Sequence, residues 1–264
     1  MNYIVKQSDS DVIESILKNR NITNEQVDSW LEANSSHWES PDNYPNMKEA
    51  FECLMFHIEN HDDIYVIVDP DGDGVLSAGI LINFIIKYLN HENVFYLLHN
   101  GKQHGIENSM LNKCIEDKIK LLLVPDAGSN DIRQMEKLIE NGIDVIVTDH
   151  HEYNYSNIPI GAWVINNQHP DVVNRYGSGT LVTYKFIFYV AEQLGIDLGY
   201  DYLTQCYIAN VTDMMSLNTD VLENRYIYKL GCWAENCNNK LIKSFLKDLK
   251  KKNKITVEVT NSCK

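Results

Sequence analysis

Short apolar runs alternate with longer amphipathic segments in the middle of the chain. The runs are rich in Val, Ile and Leu, and they cover residues 64–68, 94–98, 120–124, 144–148 and 162–165. Helix-length segments with apolar residues on one face lie between the first four runs. Strands separated by such helices predict right-handed βαβ units. We therefore expect an α/β fold with a mostly parallel five-stranded sheet and helices on both faces, because the runs are apolar throughout.

Helical periodicity dominates both flanks of this region. We expect residues 1–60 to form an N-terminal helical segment packed on the core, and residues 61–235 to form the main α/β domain. The remaining segment, 236–264, reads as a C-terminal helix and tail. Its lysine-rich end at 240–254 is typical of a solvated helix terminus, where positive charge is favourable.

Composition narrows the class of protein. With 264 residues, 44% hydrophobic and 23% charged, the chain can bury a core, and collagen-like or disordered classes are excluded. No apolar run approaches the roughly 20 residues of a membrane span. The N-terminus does not resemble a signal peptide, so a cytoplasmic protein without a membrane partner is expected. The six scattered cysteines favour free buried thiols over a disulfide or zinc framework.

The net charge of −14 limits the possible partners. It argues against a nonspecific nucleic-acid coat, because phosphate affinity comes mainly from Lys and Arg. It is compatible with an enzyme that handles phosphates through metal ions.

The acidic residues fall where such ions are expected. Asp69, Asp71 and Asp73 follow the first run, and two glycines let the backbone turn tightly there. Ligands of open α/β sheets bind at the carboxyl ends of the strands. A polar Asx turn is the plain alternative. A calcium-binding EF-hand loop is excluded here, because no Glu occupies the last position of the loop and a strand flanks it.

Two later strand ends repeat this pattern. Asp126 follows the third run, and Asp149, His150 and His151 follow the fourth. Together with the first three carboxylates they predict a cluster of oxygen and imidazole ligands, the set that suits Mn²⁺ or Mg²⁺. So many carboxylates in one crevice would repel one another, so a divalent cation is physically expected.

These residues resemble the motifs of the DHH phosphoesterase superfamily. DPDGDG at 69–74, Asp126 and the triplet 149–151 are similar to its motifs I to III, and Asp213 within ANVTDMMSL is similar to motif IV. The triple-Asp motif I looks like the RecJ branch of single-strand-specific exonucleases. The resemblance implies two Mn²⁺ (or Mg²⁺) ions that share a bridging carboxylate.

The resemblance also implies roles for individual residues. Asp126 is the expected bridging ligand, with Asp69 and Asp71 on one ion. Asp73, His150 and Asp213 are expected on the other ion. We expect Asp149 to orient His150, and His151 to contact the scissile phosphate or assist the leaving group. The segment 99–105 stands where RecJ-like enzymes hold a substrate loop, and there His99, Lys102 and His104 are candidate phosphate contacts.

The implied function is hydrolysis of single-stranded DNA, with 5′-3′ polarity and release of 5′-mononucleotides. Two alternatives stay open: a phosphodiesterase of short oligonucleotides or cyclic dinucleotides, and a catalytically idle DHH binding module. Nothing after Asp213 resembles the glycine-rich motif of the family's second domain. Three interpretations stay open: a minimal single-domain member, a protein partner that completes the substrate groove, or a C-terminal domain missing from this sequence.

Overall fold

A computed structural model describes residues 12–99, 101, 103–218 and 221–232. Its strands are β1 (Ile64–Val68), β2 (Val94–Leu98), β3 (Leu121–Pro125), β4 (Asp144–Asp149) and β5 (Ala162–Asn166). Its α-helices are α1 (Val12–Asn19), α2 (Asn24–Leu31), α3 (Met47–Glu59), α4 (Gly72–Tyr88), α5 (Asn108–Asp117), α6 (Ile132–Glu140), α7 (Gly179–Leu194), α8 (Leu203–Thr212) and α9 (Leu222–Gly231). The predicted helix at 240–254, with Cys237 and Cys263, lies outside these residues.

The strands form one sheet in the order β2-β1-β3-β4-β5, and every neighbouring pair is parallel. The predicted α/β fold with a five-stranded sheet is confirmed, and it contains no antiparallel pair among the described strands. β3 begins and ends one residue later than predicted. At its end Pro125 pairs with Thr148, and before its start the Lys120 N–H donates to the Asp63 carbonyl outside the ladder.

Helices cover both faces of the central strands. One core joins alternate strand residues to α3, α4, α7 and α8, and the other joins the intervening strand residues to α5 and α6. The edge strand β2 differs from the prediction that both faces are covered, since Phe95, Tyr96 and Leu98 are exposed. An edge strand has a neighbour on only one side, so the flanking helices reach it incompletely.

A buried ion pair ties the flanking helical segments to the sheet. Lys185 on α7 is fully buried, and its Nζ donates to the Glu223 carboxylate on α9 and to the Glu39 carbonyl. The same Nζ lies 3.2 Å from the centre of the Trp38 ring. This network fixes α7, whose N-terminus faces the carboxyl ends of the strands.

The thiols of Cys53, Cys114 and Cys206 are buried and form no disulfide, as predicted. No helix within the described ranges has the length and apolar character that crossing a bilayer requires.

Candidate metal centre

The carboxyl ends of β1, β3 and β4 bring the predicted acidic residues together. Asp69, Asp126 and Asp149 are each about 1% exposed, although ionised carboxylates are rarely buried without partners. Asp126 adopts a left-handed backbone with φ of 66°, and its N–H donates to the Thr148 carbonyl at 2.8 Å. Strained backbone of this kind is concentrated at functional sites.

His150 lies at the centre of one group of carboxylates. Its Nε2 is 3.3 Å from Asp126 Oδ1, 3.7 Å from Asp213 Oδ2 and 3.9 Å from Asp73 Oδ2. Asp73, His150 and Asp213 each offer a ligand atom, and these atoms all lie within 4.8 Å of one another. These three are the residues that the family resemblance assigned to one ion, and the fold brings them together from the first turn of α4, the residue after β4 and the residue after α8.

The surroundings of Asp126 disfavour the negative charge of its carboxylate. Burial, followed by the charges of Asp73, Asp149 and Asp71, raises its pKa well above the usual range. Its Oδ1 is buried and has no hydrogen-bond partner among the described residues. A buried oxygen without a donor is costly, and a bound cation would satisfy it. The donor set therefore fits a divalent metal.

Asp73 is held by the N-terminus of α7. Its carboxylate accepts hydrogen bonds from the Gly179 N–H at 2.7 Å and the Thr180 N–H at 2.8 Å, and also from the Thr180 hydroxyl. The unpaired amides and positive end of a helix stabilise a negative charge. Sequence reasoning missed this contact, for which Gly177-Ser178-Gly179 opening the helix is the only local signal.

A second group of ligands surrounds Asp69. Asp69, Asp71 and His104 each offer an atom, all within 4.8 Å of one another. His104 Nδ1 lies 2.5 Å from Asp69 Oδ2, and Asp71 caps α4 by accepting from the Gly74 N–H at 2.9 Å. The structure thus brings Asp69 and Asp71 together as expected, and it adds His104 to them.

His99 also lies next to this group of ligands. Its side chain is fully buried, its Nδ1 lies 2.6 Å from Glu107 Oε1, and its Nε2 lies 3.8 Å from Asp69 Oδ1 without a hydrogen bond. A buried ring at this place faces Asp69 rather than solvent. Lys102, the remaining candidate in this segment, lies outside the described residues.

Asp149 pairs with His151, which differs from the expected pairing with His150. Asp149 Oδ1 lies 2.8 Å from His151 Nδ1, and it also accepts from the backbone N–H of both histidines. The hydrogen bond to Asp149 raises the pKa of His151. Asp149 reaches the ring of His151 because the chain turns at once after β4, and this local geometry could not be predicted from residue types.

The sequence of this chain is similar to a known family and to curated proteins. The sequence profile of the DHH family, N-terminal domain, matches residues 63–210. A putative SPbeta prophage-derived single-strand DNA-specific exonuclease, YorK of Bacillus subtilis, is 34% identical over 222 residues, which are 84% of this chain and 37% of YorK. The single-stranded-DNA-specific exonuclease RecJ of B. subtilis is 24% identical over 88% of this chain and 30% of RecJ.

Solved structures share the fold. The structure of exonuclease RecJ bound to manganese superposes with a TM-score of 0.63 and 24% identity, over 72% of this chain and 48% of that one. RecJ from Thermus thermophilus in complex with Mn²⁺ gives a TM-score of 0.60 at 24% identity, over 72% of this chain and 27% of that one. The chain spans about a third of the length of the curated relatives it matches. Since the family profile covers more than half of its residues, the chain belongs to the DHH family.

Proposed function

We propose that this chain is the DHH domain of a metal-dependent phosphodiesterase that hydrolyses single-stranded DNA. The observation that carries the proposal is the Oδ1 of Asp126, which is buried, accepts no hydrogen bond from the described residues and lies 3.3 Å from His150 Nε2, beside the ligand group of Asp73, His150 and Asp213. The names of the relatives support the substrate class, since YorK and RecJ are described as exonucleases specific for single-stranded DNA.

Two sets of residues are proposed to hold two ions, Mn²⁺ or Mg²⁺. Asp73, His150 and Asp213 would hold one ion, and Asp126 would supply a ligand to both. For the other ion we propose Asp69, Asp71 and His104, so that His104 acts as a ligand and not as a phosphate contact. Neutral imidazole and carboxylate together suit Mn²⁺.

When bound, the ions lower the pKa of a water and neutralise charge on the phosphoryl oxygens. The chain's own residues orient the substrate and move protons. Asp149 holds His151 through Nδ1, so the other ring nitrogen is the one that can reach the substrate. The hydrogen bond with Asp149 raises the pKa of His151, and a protonated ring at this place would suit binding of a phosphate oxygen or protonation of the leaving 3′ oxygen. The buried His99 ring lies beside Asp69, and Lys102 remains a proposed phosphate contact.

The finer points of the proposal follow from the resemblance to RecJ. They are 5′-3′ polarity, release of 5′-mononucleotides, and a further domain or partner protein that completes the groove. The relatives are about three times as long as the matched region, which is consistent with such a contribution.

The decisive experiment is an Mn²⁺-supplemented digestion of two substrates side by side. One is a long 5′-labelled single-stranded DNA, and the other is a dinucleotide. Release of mononucleotides from the long strand is expected, and EDTA should abolish it. Cleavage of the dinucleotide alone would make the protein a small-substrate phosphodiesterase, and turnover in EDTA would refute the metal mechanism.

The matched variant is Asp126→Ala. Loss of the bridging carboxylate should reduce the rate at least about a hundredfold, since both ions lose a ligand. Near-normal turnover with retained Mn²⁺ would refute the bridging assignment. If the wild type binds Mn²⁺ but cleaves neither substrate, cleavage by this chain alone is refuted, and the result points to a missing domain or partner.

A further inference from the structure

A second cluster of metal-ligand side chains lies at the opposite edge of the sheet. Cys53 and His57 are one turn apart on α3, and Asp144 is the first residue of β4. Asp144 and the DHH residue Asp149 stand at the two ends of β4, so the two clusters are separated by about 16 Å at 3.3 Å per residue. The cluster is therefore independent of the candidate metal centre.

The three side chains converge on a small space. His57 Nε2 lies 3.0 Å from Asp144 Oδ2, and Cys53 Sγ lies 3.9 Å from the same oxygen. All three ligand atoms lie within 4.8 Å of one another. In a tetrahedral zinc site with bonds of about 2.0–2.3 Å, neighbouring ligand atoms are separated by about 3.3–3.8 Å. Small side-chain rotations would thus produce a zinc geometry.

A fourth residue orients the imidazole. His57 Nδ1 lies 2.8 Å from Asp62 Oδ2, so the ring is held between two carboxylates. Histidines that bind metals commonly donate their second N–H to a carboxylate, which fixes the ring and increases its basicity. The arrangement leaves Nε2 directed at Asp144 and Cys53.

Burial and charge favour an exchange of protons for a cation. Cys53 is 7% exposed and His57 is 3% exposed. Without a metal, both ring nitrogens of His57 face carboxylate oxygens, and a group with a doubly protonated ring, a neutral thiol and two carboxylates has a net charge of −1. A divalent ion that displaces the thiol proton and one imidazolium proton leaves the net charge at −1. The exchange therefore adds no net charge to a buried region.

Burial raises the pKa of the Cys53 thiol, and the Asp144 carboxylate raises it further. A bound cation would therefore favour ionisation of the Cys53 thiol. The Asp144 side chain is 40% exposed, which gives an ion access and leaves room for a solvent ligand.

We propose that Cys53, His57 and Asp144 bind one zinc-class divalent ion, with Asp62 as the orienting partner of His57. A thiolate and an imidazole select Zn²⁺ or Co²⁺ over Mn²⁺ and Mg²⁺. The catalytic cluster, which contains no cysteine, has the opposite preference. By binding residues of both elements, the ion would hold α3, and with it the N-terminal helical segment, against the start of β4.

Co²⁺ titration of the EDTA-treated full chain tests the proposal. A thiolate-to-cobalt charge-transfer band in the near ultraviolet is expected in the wild type at one equivalent of ion. The band reports only the thiolate site, since the catalytic cluster contributes no sulfur. It should therefore persist in Asp126→Ala, whatever happens to nuclease activity, so its presence is separable from the proposed function.

Two variants locate the ion. Cys53→Ser should lose the band and one equivalent of zinc by elemental analysis, and Asp144→Asn should weaken zinc binding at least tenfold. Cys114→Ser is the matched control, because Cys114 is also buried on a helix but lies in the other core. No band in the wild type, or a full band in Cys53→Ser, would overturn the proposal and leave His57 as a structural residue hydrogen-bonded to two carboxylates.

Discussion

Replacing Gly179 with alanine should disable the metal centre while leaving the fold intact. Gly179 is the first residue of α7, and a Cβ at this position would lie 2.0 Å from Asp126 Oδ1. That distance is 1.4 Å inside the 3.4 Å at which ordinary contact begins. The same Cβ would be 2.8 Å from Asp126 Cα, so rotation of the side chain alone cannot relieve the clash.

The size of the effect follows from the displacement. The Asp126 carboxylate must move by more than an ångström from His150 Nε2 and the facing ligands. Misplacement of a reacting group by about 1 Å can reduce a rate roughly a hundredfold. We therefore expect a loss of about two orders of magnitude in Mn²⁺-dependent cleavage of a 5′-labelled single strand, together with weaker Mn²⁺ binding.

Gly79→Ala is the matched control. Gly79 lies within α4, and a Cβ there has no neighbour within 4 Å. This variant should keep full activity and gain up to about 1 kcal/mol of stability from the better helix former. Calorimetric melting of both variants separates a local effect from unfolding. Wild-type activity in a folded Gly179→Ala protein would refute the reasoning that Asp126 must occupy its observed position.

Three further substitutions test other parts of the structure. His151→Ala should keep both Mn²⁺ equivalents by elemental analysis and lower the turnover about 10²–10⁴-fold, and a parallel loss of metal would make His151 a ligand instead. His104→Ala should lose about one Mn²⁺ equivalent, whereas unchanged metal content with a higher KM would restore its role as a phosphate contact. Lys185→Met should lower the free energy of unfolding by about 3–5 kcal/mol in urea titrations, because Glu223 stays buried without its counter-charge. Adding Glu223→Gln should recover at least about 1 kcal/mol, and additive losses would contradict the coupling.

The sequence predicted the sheet and much of the candidate site for a single physical reason. The carboxyl ends of parallel strands meet at one edge, so residues that follow consecutive strands must lie close together. Asp126 and His150 converge as this rule requires, since Asp126 Oδ1 lies 3.3 Å from His150 Nε2. The edge position of β2 was not predicted, because its apolar run is the same whether a strand is central or peripheral.

The contacts that could not be predicted from the sequence depend on side-chain directions and on residues that are far apart in the chain. Asp73 accepts from the amide of Gly179, which is 106 positions away in the chain. His104 reaches Asp69 only because the segment after β2 folds back over β1. The cluster of Cys53, His57 and Asp144 joins a helix to a strand start, and no short motif encodes it.

The acidic character of the domain has a consequence for substrate binding. Asp69, Asp73 and Asp126 lie buried at the carboxyl ends of the strands, where the proposed substrate would bind, and the net charge of the chain is −14. Without cations, the crevice repels phosphates, whereas two divalent ions contribute four positive charges at the site. Affinity for single-stranded DNA should therefore depend on the metal more than on basic side chains. The His151→Ala variant suits this measurement, because it is expected to keep the ions and cleave slowly. Fluorescence anisotropy with a labelled oligonucleotide should show at least tenfold weaker binding in EDTA than in Mn²⁺. Equal affinity in both conditions would mean that the strand is held elsewhere on the surface.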